Sequence, residues 1–139
     1  MLDKNKKLFQ SLKELKLPLG EYAVFGSGPM GIRDLREMHD IDLIVSDKIF
    51  NEYLNKQGWK IKEIYGYRDW LKNDNLEIEM GRDWHEGWDV DGMIKEADII
   101  DGLPFVKLDY LIKWKKFFGR GKDLKDVEII EIFLSTKGN

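Results

Sequence analysis

Two aspartates that alternate with apolar residues could act as ligands of a metal ion. Asp40 and Asp42 flank Ile41 in a segment, residues 39–45, whose pattern is typical of a short buried strand. Because side chains alternate along a strand, both carboxylates point to one face, where like charges repel each other. A divalent cation removes this repulsion, and Mg²⁺ prefers carboxylate and phosphate oxygens. The pair therefore predicts a Mg²⁺ site; the alternative is two hydrated aspartates on an exposed edge.

A glycine-rich turn precedes the aspartates. Residues 26–28 read Gly-Ser-Gly and separate a predicted strand, residues 22–25, from a helix that we expect over residues 29–38. Backbone N–H groups at such a turn can face a phosphate, and the Ser27 hydroxyl can add a hydrogen bond. Because the same residues also make an ordinary tight turn, the turn indicates phosphate binding only in company with the aspartates.

Glu77 and Glu79 are candidates for a third metal ligand. They lie in residues 76–80, the predicted second arm of a hairpin that follows the turn residues at 73–75. Alternation places both glutamates on one face, so spacing cannot choose between them. We favour Glu77, which lies between two apolar residues, and keep Glu79 as the alternative. A solvated hairpin face is the ordinary interpretation for at least one of them.

The pattern of the whole chain predicts the elements that position these residues. In order they are a helix at 3–17, a strand at 22–25, a helix at 29–38, a strand at 39–45, a helix at 47–57, strands at 59–64, 67–71 and 76–80, a short helix at 90–97, a hairpin at 99–106, and helices at 110–118 and 123–134. This order indicates an α+β (mixed α/β) fold in which helices back a small mixed sheet. We expect a single domain over residues 1–139.

Composition excludes several classes of site. The chain has no cysteine, which rules out disulfides, thiolate metal sites and cysteine nucleophiles. Its formal net charge of −3 argues against a general nucleic-acid coat. No apolar run reaches the roughly 20 residues that span a bilayer, so we expect a cytoplasmic protein without a membrane partner.

Motifs near both ends of the chain resemble those of the nucleotidyltransferase superfamily, which includes DNA polymerase beta. Its Gly-Ser turn, acid–hydrophobic–acid strand and later acidic strand correspond here to FGSG, DID and LEIEM. The segment LDYLIKWKKFFGRGKDLKDVEII is similar to the closing helical segment of the family. The matching positions there are Leu111, Lys115, Gly119, Arg120, Lys122, Asp123 and Asp126. The resemblance implies a small nucleotidyltransferase-like fold with C-terminal helices.

The resemblance also implies an activity, namely transfer of a nucleoside monophosphate from an NTP to a hydroxyl acceptor with release of pyrophosphate. Asp40, Asp42 and Glu77, with Glu79 as the alternative third acid, would be the catalytic and metal-binding residues. One or two Mg²⁺ ions are expected, with Mn²⁺ as a substitute. The third acid could also take the acceptor's proton.

The phosphates of the NTP would have their own ligands. Gly26 and Ser27 would hold the β- and γ-phosphates, with Lys115, Arg120 and Lys122 reaching them from the last helices. For Lys122 the alternative is that it only pairs with Asp123 at a helix end.

The acceptor and the partners are left open by the sequence. A small molecule, a protein or an RNA end could each supply the hydroxyl. The alternatives are a toxin–antitoxin-type module that modifies or binds a partner protein, and an inactive nucleotide-binding homologue. Trp84 and Trp88 are candidates for stacking on a base or an acceptor, whereas His39 and His85 lack the partner spacing of a zinc site.

Overall fold

A computed structural model of the chain describes residues 1–64, 67–82 and 88–137. Within these ranges the chain forms six helices and one seven-stranded mixed sheet, which confirms the predicted α+β fold class. The helices are α1 (Asp3–Glu14), α2 (Gly28–Gly31), α3 (Asp47–Tyr53), α4 (Val90–Lys95), α5 (Leu108–Phe118) and α6 (Gly121–Lys137). The strands are β1 (Tyr22–Phe25), β2 (Ile41–Val45), β3 (Lys60–Ile64), β4 (Tyr67–Asn73), β5 (Ile78–Gly81), β6 (Asp98–Ile100) and β7 (Leu103–Phe105).

The strand order across the sheet is β3-β4-β5-β2-β1-β7-β6. β2 pairs in parallel with β5, and β1 pairs in parallel with β7, whereas the other neighbours are antiparallel. The parallel pairing of β2 with β5 matters most for the site, because it sets side by side two strands that are far apart in sequence.

The sheet is covered by helices on both faces. Ile41, Leu43 and Val45 of β2 belong to one apolar core, which α1 and α3 complete. Ile44 belongs to a second core, built with α4, α5 and α6 on the opposite face. Alternation along β2 places Asp42 on the face of this second core, so the carboxylate points towards the side of the sheet that α5 and α6 cover.

The predicted helix over residues 29–38 was wrong, because α2 ends at Gly31 after a single turn. Residues 32–40 form turns and bends that lead to β2, and Asp34 takes a left-handed backbone conformation with φ of 59°. The apolar spacing that suggested a helix has another origin: Met38 is fully buried from this irregular segment rather than from a helix face.

A buried asparagine holds the irregular segment in place. Asn5 on α1 is fully buried, and its side chain accepts a hydrogen bond from Met38 N at 2.8 Å and donates one to Arg36 O at 3.0 Å. These two bonds do for the segment what a strand partner would do, since they satisfy its backbone in the protein interior. Helix α1 therefore fixes the chain just before Asp40.

None of the helices in the described ranges combines the length and the apolar character needed to cross a bilayer.

Candidate active site

A cleft of about 510 Å³ lies where β2 and β5 face the start of α6. Polar and aromatic side chains line it: Ser27, Arg36, His39, Asp40, Asp42, Lys62, Trp70, Glu79, Trp114, Lys115, Arg120, Lys122, Asp123 and Asp126. Gly26 completes the lining with its backbone. Of the residues that we predicted for catalysis, metal binding and phosphate binding, all except Glu77 therefore line this one cleft.

Three carboxylates form an acidic cluster in the cleft, namely Asp40, Asp42 and Glu79. The parallel pairing of β2 with β5 sets Asp42 directly opposite Glu79, and Asp40 lies one residue before β2 begins. Glu79 is 8% exposed, so most of its surface is removed from water. Within the described part of the chain neither Asp40 nor Asp42 forms an ion pair, in contrast to Glu79.

The acidic cluster shifts its own proton equilibria. Burial raises the pKa of Asp42 well above its ordinary value, and Asp40, Glu79 and a hydrogen bond with the Glu79 carboxyl group raise it further. Burial and the charge of Glu79 also raise the pKa of Asp40, against an opposing effect of His39, Lys62 and Lys72. Both shifts favour the protonated carboxyl groups, first because burial disfavours the charged form and then because the acids lie close to one another.

Gly26 makes room for the Asp42 carboxylate. A Cβ atom at this position would lie 2.5 Å from Asp42 Oδ2, which is closer than Cβ atoms come to other atoms in proteins. The backbone of Gly26 also has φ of 65°, which favours glycine. The turn and the aspartate thus fit together because residue 26 has no side chain.

The helix dipole adds little to phosphate binding at this turn, because α2 has only four residues. Ser27 precedes α2, makes no side-chain capping bond and lines the cleft with part of its surface exposed. Any anion held here would be held by the Ser27 hydroxyl and by local N–H groups rather than by a long helix.

The two candidate glutamates occupy different environments, which alternation could not anticipate. β5 begins at Ile78, so Glu77 lies in the preceding turn, with φ of 56° and its carboxylate paired to Lys4 Nζ at 3.0 Å. Our placement of Glu77 on a strand was therefore wrong. Glu79 lies within β5 and lines the cleft, whereas Glu77 lines a smaller neighbouring pocket that Asp40 and Glu79 also reach. The geometry favours Glu79, the alternative, as the third acid.

Lys62 is a cleft residue that the sequence analysis missed. It lies on β3, two strands away from β5, and its side chain reaches over β4 so that Nζ is 2.7 Å from Glu79 Oε1. A second lysine, Lys72, is 4.0 Å from the same oxygen but lies nearer to Asp74, at 3.1 Å. Nothing in the hairpin sequence marked Lys62, because its partner is set by the order of three strands.

Basic residues on the other side of the cleft are held by two buried aspartates. Asp126 accepts hydrogen bonds from Arg36 Nη1 at 2.6 Å and from Lys115 Nζ at 2.8 Å. Asp123 accepts one from Arg120 Nε at 2.6 Å, and Lys115 itself is only 4% exposed. Arg36 was not anticipated either, because it lies in the segment expected to be a helix.

Lys122 differs from these paired residues. It is exposed, lines the cleft, and forms no ion pair with any residue that the structure describes. The alternative role that we gave it, pairing with Asp123, is taken by Arg120.

The aromatic candidates are divided. Trp70 and Trp114 line the cleft, and Trp114 packs edge-on against Phe25 at 5.3 Å between ring centroids. Trp88 packs against the second core instead, whereas Trp84 and His85 lie outside the described residues. His39 is exposed at the rim beside Asp40.

The acidic cluster fits a divalent cation in its chemistry. Asp40 and Asp42 supply hard oxygen ligands, and Mg²⁺ is usually bound by one or two carboxylates together with substrate phosphates. As the side chains stand, no three or more His, Asp or Glu residues in residues 1–64, 67–82 and 88–137 form a group that could hold a metal ion. The fit therefore rests on the two aspartates and on oxygens that a nucleotide would add.

Comparisons of the chain with protein-family models, with curated proteins and with solved structures found no match. The resemblance to nucleotidyltransferases accordingly stays a prediction, which depends on the residues of the cleft themselves.

Proposed function

We propose that the chain is a Mg²⁺-dependent nucleotidyltransferase, which moves a nucleoside monophosphate from an NTP to a hydroxyl acceptor. One observation carries the proposal: Asp40 and Asp42 face a cleft without a basic partner among the described residues, beside a turn that residue 26 leaves open. Two unneutralised carboxylates at such a place favour a divalent cation over a purely structural role.

The opposite side of the cleft suits a triphosphate. Lys122 is an exposed cation without an ion-pair partner in the described ranges. The guanidinium groups of Arg36 and Arg120, which Asp126 and Asp123 hold in place, also line the cleft. One guanidinium group can bind two oxygens of a phosphate through two parallel hydrogen bonds. A nucleotide with its phosphates between Ser27 and Lys122 would have its α-phosphate near the acidic cluster.

The chemistry assigned to the chain is one substitution at phosphorus. The acceptor hydroxyl oxygen forms a bond to the α-phosphorus, the bond from that phosphorus to the bridging oxygen breaks, and pyrophosphate leaves with the electron pair. The proton of the hydroxyl passes to the Glu79 carboxylate, which is buried beside Asp42. Mg²⁺ bound by Asp40 and Asp42 would supply charge neutralisation for the phosphates.

The test follows label on the α-phosphate of each NTP when the protein is incubated with Mg²⁺ and a cell extract. Transfer of label that requires Mg²⁺ is expected for the wild type, with a loss of at least about a hundredfold in Asp42→Asn. Asp101→Asn is the matched control, since Asp101 is exposed and pairs with Lys13 far from the cleft. Equal transfer by Asp42→Asn and wild type would exclude the proposal, as would failure of the wild type to bind any NTP in Mg²⁺.

A protein acceptor or partner is a second candidate, favoured by apolar side chains exposed on α5 and α6. Phe117 is 65% exposed, Leu124 51% and Ile132 57%. For this candidate, label should appear on a protein, and Leu124→Glu should reduce that labelling while NTP binding in the cleft is unchanged. Label found only on small molecules, or on protein to the same extent in the variant, would contradict it.

A further inference from the structure

A lysine forms an ion pair with one member of the acidic cluster. Lys62 Nζ lies 2.7 Å from Glu79 Oε1, and the Lys62 side chain is 40% exposed at the cleft, whereas that of Glu79 is 10% exposed. Of the three acids in the cluster, Glu79 is the one whose charge is met by a direct ion pair within the described residues. The lysine reaches it from β3 across β4, at the cost of ordering a long, flexible side chain.

The ion pair between Lys62 and Glu79 affects how much negative charge the acidic cluster offers to a metal ion. Asp40, Asp42 and Glu79 carry up to three negative charges when all are ionised. Lys62 pairs directly with Glu79, whereas Lys72, 4.0 Å from the same oxygen, lies nearer to Asp74 at 3.1 Å. Up to two negative charges, those of Asp40 and Asp42, therefore have no ion-pair partner among the described residues, and one divalent cation would match them. A divalent cation that used a Glu79 oxygen would meet the ammonium group at the same carboxylate, where the two positive charges repel each other.

We propose that Lys62 is a built-in counter-ion of the site, which competes with the divalent cation for Glu79 and weakens metal binding until the metal displaces it. This inference rests on the proposed function, because it concerns the same acidic cluster. The role assigned to Lys62 is neither catalysis nor folding. Without a nucleotide, the Lys62 ammonium group pairs with Glu79; when the phosphates of a nucleotide supply further ligands, the metal ion replaces the ammonium group.

The test measures the affinity of the nucleotide-free protein for Mn²⁺ alone, by electron paramagnetic resonance of the free ion at constant ionic strength. In Lys62→Met the affinity for Mn²⁺ should rise about tenfold, since one positive charge near the ion is removed. In Lys62→Arg, which keeps the charge, the affinity should stay within about twofold of wild type. Lys60→Met is the matched control, because residue 60 lies on the same strand and face but forms no ion pair with Glu79 among the described residues.

The outcomes separate the inference from the proposed function. If the wild type binds Mn²⁺ through the cluster, so that Asp42→Asn abolishes binding, but Lys62→Met binds equally or more weakly, the counter-ion role is wrong and the metal site stands. If neither the wild type nor Lys62→Met binds Mn²⁺, with or without an NTP, both proposals fail. Circular dichroism and thermal unfolding establish that each variant is folded. If Lys62→Met does not fold, Lys62→Gln serves as the second neutral variant.

Discussion

Asp42 is a proposed metal ligand whose negative charge destabilises the folded protein when no metal is bound. Its carboxylate lies close to Asp40 and Glu79 in the cleft, and burial raises its pKa well above the ordinary value. A group with a raised pKa in the folded state contributes stability below its ordinary pKa, and this stability is lost as the pH rises through the raised pKa. At pH values above this raised pKa, the charged form of Asp42 therefore destabilises the folded chain.

The first prediction concerns this charge. At pH values above the raised pKa of Asp42, Asp42→Asn should raise the free energy of unfolding by about 1 kcal/mol, because a neutral amide replaces a carboxylate whose charge is disfavoured there. The difference should shrink as the pH falls towards the ordinary aspartate pKa of about 4, where wild-type Asp42 is protonated. Urea unfolding of both proteins across this pH range measures it. A wild type that is as stable as the variant at every pH would show that the charge is compensated.

The second prediction separates the two glutamates. Glu79→Gln should weaken Mn²⁺ binding by at least about tenfold, because it removes a charged oxygen ligand next to Asp42. Glu77→Gln breaks only an exposed ion pair with Lys4, so Mn²⁺ binding should be unchanged and stability should fall by less than about 1 kcal/mol. Calorimetric titration with Mn²⁺ distinguishes them; the reverse ranking would restore Glu77 as the third acid.

At the scale of the elements, the site depends on a segment without regular structure. Residues 32–40 carry Arg36 and Asp40 to the cleft, and the Asn5 side chain on α1 fixes them through two backbone hydrogen bonds. A buried amide that serves both a donor and an acceptor is hard to replace, because either lost bond leaves a polar backbone group unsatisfied.

The third prediction tests this anchor. Asn5→Ala should destabilise the protein by about 1–3 kcal/mol and should speed amide hydrogen exchange at Met38, whose N–H loses its acceptor. Asn55→Ala is the control, since Asn55 is exposed. Unchanged exchange at Met38 in Asn5→Ala would show that the segment is held by its packing alone.

The sequence predicted the strands better than the chain segments that flank them. Alternation placed Asp40 and Asp42 together because β2 is a real strand, and Asp40 lies only one residue before it. The same rule failed for Glu77, which lies one residue before β5 and turns away with a left-handed backbone. Helical spacing failed for residues 29–38, because Met38 is buried and Leu35 partly buried from a segment without regular structure. Periodicity is a property of regular backbone, so it misleads wherever a segment ends within the pattern.

At the scale of the whole molecule, Asp126 on α6 connects the segment before β2 with helix α5 across the cleft. It joins Arg36, before β2, to Lys115, on α5, and it is 8% exposed. The order of elements predicted a mixed sheet with helices, but not this contact. Contacts such as Arg36 with Asp126 and Lys62 with Glu79 depend on strand order and helix docking, which a single sequence does not encode locally.

The fourth prediction measures that connection. Asp126→Ala should lower the free energy of unfolding by about 3 kcal/mol, because it leaves the buried Lys115 ammonium and Arg36 without their carboxylate. Glu128→Gln, an exposed change on the same helix, should stay within about 0.5 kcal/mol. Urea unfolding compares the two. A small effect of Asp126→Ala would mean that Asp123, 3.9 Å from Lys115, suffices as its partner.

The parallel pairing of β2 with β5 has a consequence for the time course of folding. Asp42 meets Glu79 only when the chain between β2 and β5 closes into a loop, and Arg36 meets Asp126 only when a loop of 90 residues closes. Closing such loops costs entropy before any contact repays it, so these contacts form slowly. The ability to bind a ligand should therefore appear in the last kinetic phase of refolding, after most secondary structure has formed. A partly folded chain would have the aspartates but no site.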